Sequence, residues 1–227
     1  MSRTSRSHPR SRGKPEVTAR APMRTDLHQA VLGRIVRGEL PPGARIKELH
    51  LSRELGASRT PLREALLYLE REGFVRSELA RGFSVEPLSG REVRESYPIL
   101  WTLEELALRA SGPILGSLVE ELSKLNSDFA ANTEPEHAIE CDSRWHETLL
   151  VGCPNRRLNQ MLARLRATLM RYEHIYMRDP TLIAESAIQH AKVIEAISAK
   201  DIEGAVAALV ENWRFGMETL LLRLGEP

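Results

Sequence analysis

The segment that most constrains this chain runs from Leu55 to Gly73, Leu-Gly-Ala-Ser-Arg-Thr-Pro-Leu-Arg-Glu-Ala-Leu-Leu-Tyr-Leu-Glu-Arg-Glu-Gly. Leu62, Ala65, Leu66 and Leu69 recur at helical spacing, which predicts a helix with one buried face and leaves Arg59, Arg63 and Arg71 free to point away. Ser58 or Thr60 can cap the exposed amides at its start, and Pro61 falls in the first turn, where its missing N–H is not needed. Helix dipole, free amides and guanidinium groups therefore meet in one place, which suits a phosphate backbone. Arg is also the side chain that meets guanine through two hydrogen bonds in a major groove. Taken alone, the segment fits a core helix with a solvated charged face better than a DNA-reading one. Its neighbours decide between the two.

Leu27, Ala30, Val31, Ile35 and Val36 predict a helix from Thr25 that ends at Gly38, followed by a tight turn at Glu39-Leu-Pro-Pro-Gly43. Ile46, Leu49 and Leu55 predict a second helix stopped at Gly56, and Gly56, Ala57 and Ser58 then form the turn into the Arg-bearing helix. This is the spacing of a helix-turn-helix. After Gly73, Phe74–Ser77 and Gly82–Val85 read as two strands around Glu78 to Arg81, a wing with Arg81 and Gly82 near its tip. Glycine there lets the backbone approach a minor groove, and Arg is favoured where that groove is narrow. The charge agrees: residues 1–90 carry 17 Lys and Arg against 10 Asp and Glu, and residues 91–227 carry 15 against 21. A basic front half suits a polyanion. Part of that excess lies in residues 1–23, whose Ser, Arg, Pro and Gly read as a disordered basic tail.

Beyond the linker Pro87-Leu-Ser-Gly90, Ser89 and Glu92 make a capping box for a helix that runs past Leu108 with a kink at Pro98. Gly112-Pro113 separates it from a helix over Leu115 to Ala131. Thr133 with Glu136 opens another that ends near Gly152, and Pro154-Asn155 opens a long one to about Met177. Asp179-Pro180 and Asp201 cap the last two, ending near Lys200 and Leu222. No strand pattern interrupts them. The fold class is thus mainly α: a winged helix-turn-helix over 24–87, then an all-α bundle of about six helices over 88–227 with room for a buried cavity. The hydrophobic stretches fall short of a membrane span and the first two dozen residues lack the apolar core of a secretory signal. Cys141 and Cys153 would stand about 18 Å apart on one helix, too far to bridge, so both read as free thiols of a cytoplasmic protein.

Glu39-Leu-Pro-Pro-Gly, Ser58-Arg-Thr-Pro-Leu-Arg-Glu-Ala-Leu, Leu69-Glu-Arg-Glu-Gly and Arg81-Gly-Phe-Ser-Val, in that order, resemble the winged-helix domain of the GntR superfamily of bacterial transcriptional regulators. The resemblance implies that Arg59, Thr60, Arg63 and Gly82 contact operator DNA, beside Ser58 and Arg81. It also shows a departure, because some relatives carry an Arg where Leu49 stands. Residues 90–222 resemble the FCD effector domain of the FadR-like branch, through Leu103-Glu-Glu-Leu-Ala-Leu, the Asp142-x-x-x-His146 pair, Gly152-x-Pro-Asn155 and His190. There, Leu100 stands where many relatives place an Arg that meets a carboxylate ligand, and Asn212 where metal-binding relatives have a fourth ligand, a His.

Asp142 and His146 lie four residues apart, so on a helix both project from one face and can reach one ion. With His190 and Asn212 they form a candidate site for a divalent metal such as zinc, nickel or manganese, the amide being a weak fourth ligand. A hydrogen-bonded polar cluster lining an effector cavity fits the same residues. Two functions follow. One is a ligand-responsive transcriptional regulator that binds a palindromic operator as a homodimer and takes a small-molecule effector in the helical domain. The other is a metal-dependent hydrolase using Asp142, His146 and His190, which no evident nucleophile or general base supports. A nonspecific architectural DNA binder is a third, disfavoured by the acidic second half.

Overall fold

The computed structural model describes residues 24–79, 81–132 and 134–226. The basic tail and the Thr133 cap lie outside the described residues. In chain order the elements are α1 (Arg24–Val36), α2 (Glu48–Glu54), α3 (Arg59–Arg71), β1 (Val75–Glu78), β2 (Gly82–Val85), α4 (Gly90–Ala130), α5 (Pro135–Leu149), α6 (Arg156–Tyr176), α7 (Pro180–Ser198) and α8 (Ile202–Arg223).

The head is built as its apolar spacing dictates. Leu62, Leu66 and Leu69 of α3 meet Val31 and Ile35 of α1 and Phe83 and Val85 of β2 in one core. The two strands pair antiparallel from Val75↔Val85 to Glu78↔Gly82. A third rung joins them: Arg45 bridges Ser84, and Ile46 N–H donates to Phe83 O at 2.8 Å. This rung corrects the expected second helix. Because Arg45 and Ile46 are held extended against the wing, α2 starts only at Glu48, so its buried residues are Leu51 and Ser52 while Leu49 faces outward. Ser58 occupies the N-cap position of α3 without a side-chain cap bond, which leaves the first amides of the helix open.

The body has its own core, with Tyr97, Leu100, Leu108, Phe129, Trp145, Leu169, Tyr172, Val193 and Leu209 among its buried residues. It comprises α4 to α8, five helices where the sequence suggested six, because the expected break at Gly112-Pro113 lies inside α4. An interior proline removes one helical hydrogen bond and crowds the carbonyl a turn earlier, which bends a helix without having to end it, and packing keeps α4 continuous here. Ser111 Oγ donates to Leu150 O at 3.3 Å, and Gly152 fits so closely that an added Cβ would meet Ile114 at 2.6 Å. Alongside the first half of α4, α8 runs antiparallel: Arg94 pairs with Glu226 at one end, Trp213 meets Glu104 midway and Arg109 pairs with Glu203 at the other end.

Helix starts follow their caps closely at three places. Asn155 Oδ1 accepts from Arg157 and Leu158 N–H, Asp179 Oδ1 from Thr181 N–H, and Asp201 Oδ1 from Gly204 N–H. The capping box at Ser89 is half made. Ser89 Oγ accepts from Glu92 N–H at 3.4 Å, but the Glu92 carboxylate turns to Arg171 and Tyr172 of α6, which offer a charge and a phenol instead of one amide. Arg171 also donates to Glu86 O at 3.3 Å, so α6 clasps the linker between head and body. Cys141 lies in α5 and Cys153 in the turn after it, both free.

Candidate functional site

Two sites emerge, one in each half. In the head, a groove of about 840 Å³ opens between the starts of α2 and α3 and the wing, and Arg59, Arg63, Arg81 and Gly82 line it together with Arg45 and Lys47. Ser58 and Thr60 stand exposed at the start of α3. Arg63 is aimed rather than loose: its Nε lies 3.7 Å from Glu48 Oε2, and its guanidinium stands 5.8 Å from the centroid of the Phe83 ring. Glu48 is a residue that sequence reasoning missed, since an acid in a basic groove carries no local signal. Gly82 adopts φ 80°, a conformation L side chains rarely take, and an added Cβ would stand 3.3 Å from Glu48 Oε1.

In the body, Asp142 and His146 of α5 and His190 of α7 converge, each with a ligand-capable atom within 4.8 Å of the others. His146 Nε2 lies 3.9 Å from Asp142 Oδ2, and His190 Nε2 lies 3.6 Å from Asp142 Oδ1. The opposite ring nitrogens face fixed acceptors. His190 Nδ1 is hydrogen-bonded to Asn126 Oδ1 at 3.1 Å, whereas His146 Nδ1 lies 3.3 Å from Glu104 Oε2 as an ion-pair contact outside hydrogen-bond geometry. Asn126 is itself oriented, because its Nδ2 donates to Ala187 O at 2.9 Å. Each imidazole also lies against an indole: His190 stacks on Trp145 with centroids 3.8 Å apart, and His146 on Trp213 at 4.5 Å. Asn212 lines a small void with Asp142 and His146, and donates to Gln189 Oε1 at 3.1 Å.

These contacts fit a cation. With Nδ1–H donated to Asn126, neutral His190 presents a bare lone pair on Nε2, and that buried atom has no hydrogen-bond partner among the described residues. Burial, helped by the neighbouring His146, pushes the His190 pKa well below the usual histidine range, so the ring is neutral as a ligand must be. Burial also raises the Asp142 carboxyl, against the pull of His146 and Arg166. Two voids lined by Asp142 and His146 measure about 20 Å³ each, room for a water-sized occupant.

Glu104 and Glu173 complete the site, and neither was singled out from sequence. Glu104 is wholly buried and accepts from Arg166 Nε at 2.8 Å and Trp213 Nε1 at 2.7 Å. Burial alone would raise its pKa, but Arg166, His146 and the Trp213 indole hold the carboxyl at about 2. The available signal was an acid at a core position, between Leu100 and Leu108 on the buried stripe of α4. Glu173 of α6 lines both voids with Asp142, and burial, then the Asp142 charge, pushes its carboxyl up to about 8. Its native pKa therefore exceeds the ordinary 4.5, so its contribution to stability is present below pH 4.5 and is lost as pH rises through about 8. Melting of the metal-free chain between pH 5 and 8 is expected to show that loss, and Glu173→Gln to flatten it; identical profiles would refute the assignment.

The two outer acceptors explain how α4 is shaped. A straight helix would set residues 104 and 126 about 33 Å apart. Glu104 and Asn126 nevertheless reach two imidazoles whose centroids are 5.4 Å apart, and even extended side chains leave that series of contacts well short of the span. So α4 bends between them, where Gly112 and Pro113 sit. The expected break is a bend within a continuous helix.

Comparison with known proteins bears on both halves. The family model for bacterial regulatory proteins of the gntR family matches residues 24–85, and that for the FCD domain matches residues 99–214. The HTH-type transcriptional regulator YdhC of Bacillus subtilis (strain 168) is 29% identical over 192 residues, 82% of this chain and 85% of that protein. The gluconate operon transcriptional repressor of the same organism is 27% identical over 79% of this chain and 77% of its own length. Among solved structures, Escherichia coli McbR/YncC superposes with a TM-score of 0.77 at 23% identity, covering 90% of this chain and 99% of that one, which shows a shared fold. No helix among the described residues is long and apolar enough to cross a membrane. With the winged head matched to one family model and most of the helical body to the other, the chain belongs to the GntR family of bacterial transcriptional regulators that carry an FCD domain, which bind operator DNA and are not enzymes.

Proposed function

We propose that this regulator works in the cytoplasm as a homodimer on a palindromic operator, and that occupancy of the body by a divalent cation and a small-molecule effector changes its grip on DNA. The reading divides the chain at residues 24–87 and 88–227. A dimer follows from the small footprint of one winged helix, since a two-fold protein matches a two-fold site and doubles the bases read. Sedimentation of the intact chain at micromolar concentration tests this part, and a monomer there would remove it.

The observation that carries the metal reading is the orientation of the two histidines, both Nε2 atoms at the Asp142 carboxylate and both Nδ1 atoms at outer acceptors. The bare set of three protein ligands leaves coordination positions for water or an effector oxygen. With Leu100 buried where relatives place a cationic Arg, the effector is less anionic than a small carboxylic acid. Calorimetric titration of the metal-stripped protein with zinc or nickel tests the site. His190→Ala is expected to abolish measurable binding, and Asn212→His to raise affinity above the parent by supplying the missing imidazole. Equal affinities for parent and Asn212→His would mean that Asn212 does not converge with the other three.

A further inference from the structure

The basic groove of the head contains one group that its charges do not account for. Leu49, in the first turn of α2, is 53% exposed and lines the groove with Arg59, Arg63 and Arg81. It packs no core, since α2 buries Leu51 and Ser52 instead. Ile46 and Phe83 also touch the groove but are buried, and Leu79 belongs to the wing tip. Leu49 is thus an apolar side chain presented to the groove from the helix-turn-helix itself. Leu49 and Arg63 line the same groove, one from α2 and the other from the recognition helix.

Base edges in a major groove offer hydrogen-bond donors, acceptors and one apolar group, the C5-methyl of thymine. A leucine left in water forfeits the free energy of burying its surface, and that methyl is the group on a base edge able to recover it. We propose that Leu49 is a specificity residue that reads a thymine methyl in the operator, in the same groove that Arg63 lines. This goes beyond operator binding as such, because it assigns a base preference to a residue of α2 that carries no charge and forms no hydrogen bond through its side chain. The other apolar surface that DNA presents, the sugar edge of the backbone, carries no sequence information, so an experiment distinguishes the two.

Duplexes are first selected from a random library with the full-length chain, and each thymine is then replaced in turn by deoxyuridine, which lacks only the methyl. At one thymine the parent is expected to lose roughly fourfold in affinity, the worth of one buried methyl. Leu49→Ala should bind the unmodified duplex more weakly than the parent and lose nothing further at that thymine. Selection repeated with Leu49→Arg should recover guanine at the same step. Melting temperatures matching the parent confirm that both variants are folded. If deoxyuridine weakens parent and Leu49→Ala equally, or weakens neither at any position, Leu49 does not read thymine and the proposal fails.

Discussion

Replacing Glu104 with Ala is expected to destabilise the body by roughly 3 to 5 kcal/mol, the usual consequence of removing one partner from a buried ion pair. The carboxylate has no exposure to water, and it is the common acceptor for the Arg166 guanidinium and the Trp213 indole, with His146 Nδ1 at 3.3 Å. Its loss leaves a largely buried cation and an indole N–H unmatched. Chemical denaturation of the intact chain reads the effect directly. Glu104→Gln separates charge from shape: the amide oxygen can still accept from Trp213, while the attraction to Arg166 is gone, so an intermediate loss is expected. The pH dependence has a definite sign. Because the native pKa is held at about 2, below the ordinary 4.5, this group's stabilisation is present above pH 4.5 and is lost as pH falls toward 2. The Gln variant should lack that acid limb. An unchanged denaturation midpoint in Glu104→Ala would show that the cluster does not hold the body together.

The second large effect is expected in the head. Arg59→Ala and Arg63→Ala should each weaken binding to a selected operator by about 1 to 3 kcal/mol, roughly fivefold to more than a hundredfold, with melting unchanged because both side chains are exposed. Arg63→Ala should be the more damaging of the two. It removes a base or phosphate contact and also leaves the Glu48 carboxylate, now without its guanidinium, facing the DNA polyanion. Filter binding or anisotropy at matched salt measures both. Parent-like affinity in the two variants would displace the recognition surface from α3.

How much of this was legible follows the range of each interaction. The recognition helix and wing could be read because their apolar spacing and glycine turns act within a few residues, and the same holds for the caps at Asn155, Asp179 and Asp201. The start of α2 could not, since the rung between Arg45 and Ser84 that delays it joins segments almost forty residues apart. At Gly112-Pro113 the local signal for a break was sound, but packing against α5 converted it into a bend. Asp142 and His146 declared themselves by their spacing on one helix. Glu104 and Asn126, which orient the imidazoles, reach across 42 and 64 residues of sequence to do so, and no periodicity announces such a meeting.

The pairing of each imidazole with its own indole gives the molecule an internal optical gauge. Of three tryptophans, Trp145 and Trp213 lie in contact with His190 and His146, whereas Trp101 lies under the guanidinium of Arg214. Any change of charge at either histidine, by protonation or by a bound cation, therefore occurs against an emitting ring. The intrinsic fluorescence of the unmodified chain therefore follows the state of the buried site without a dye.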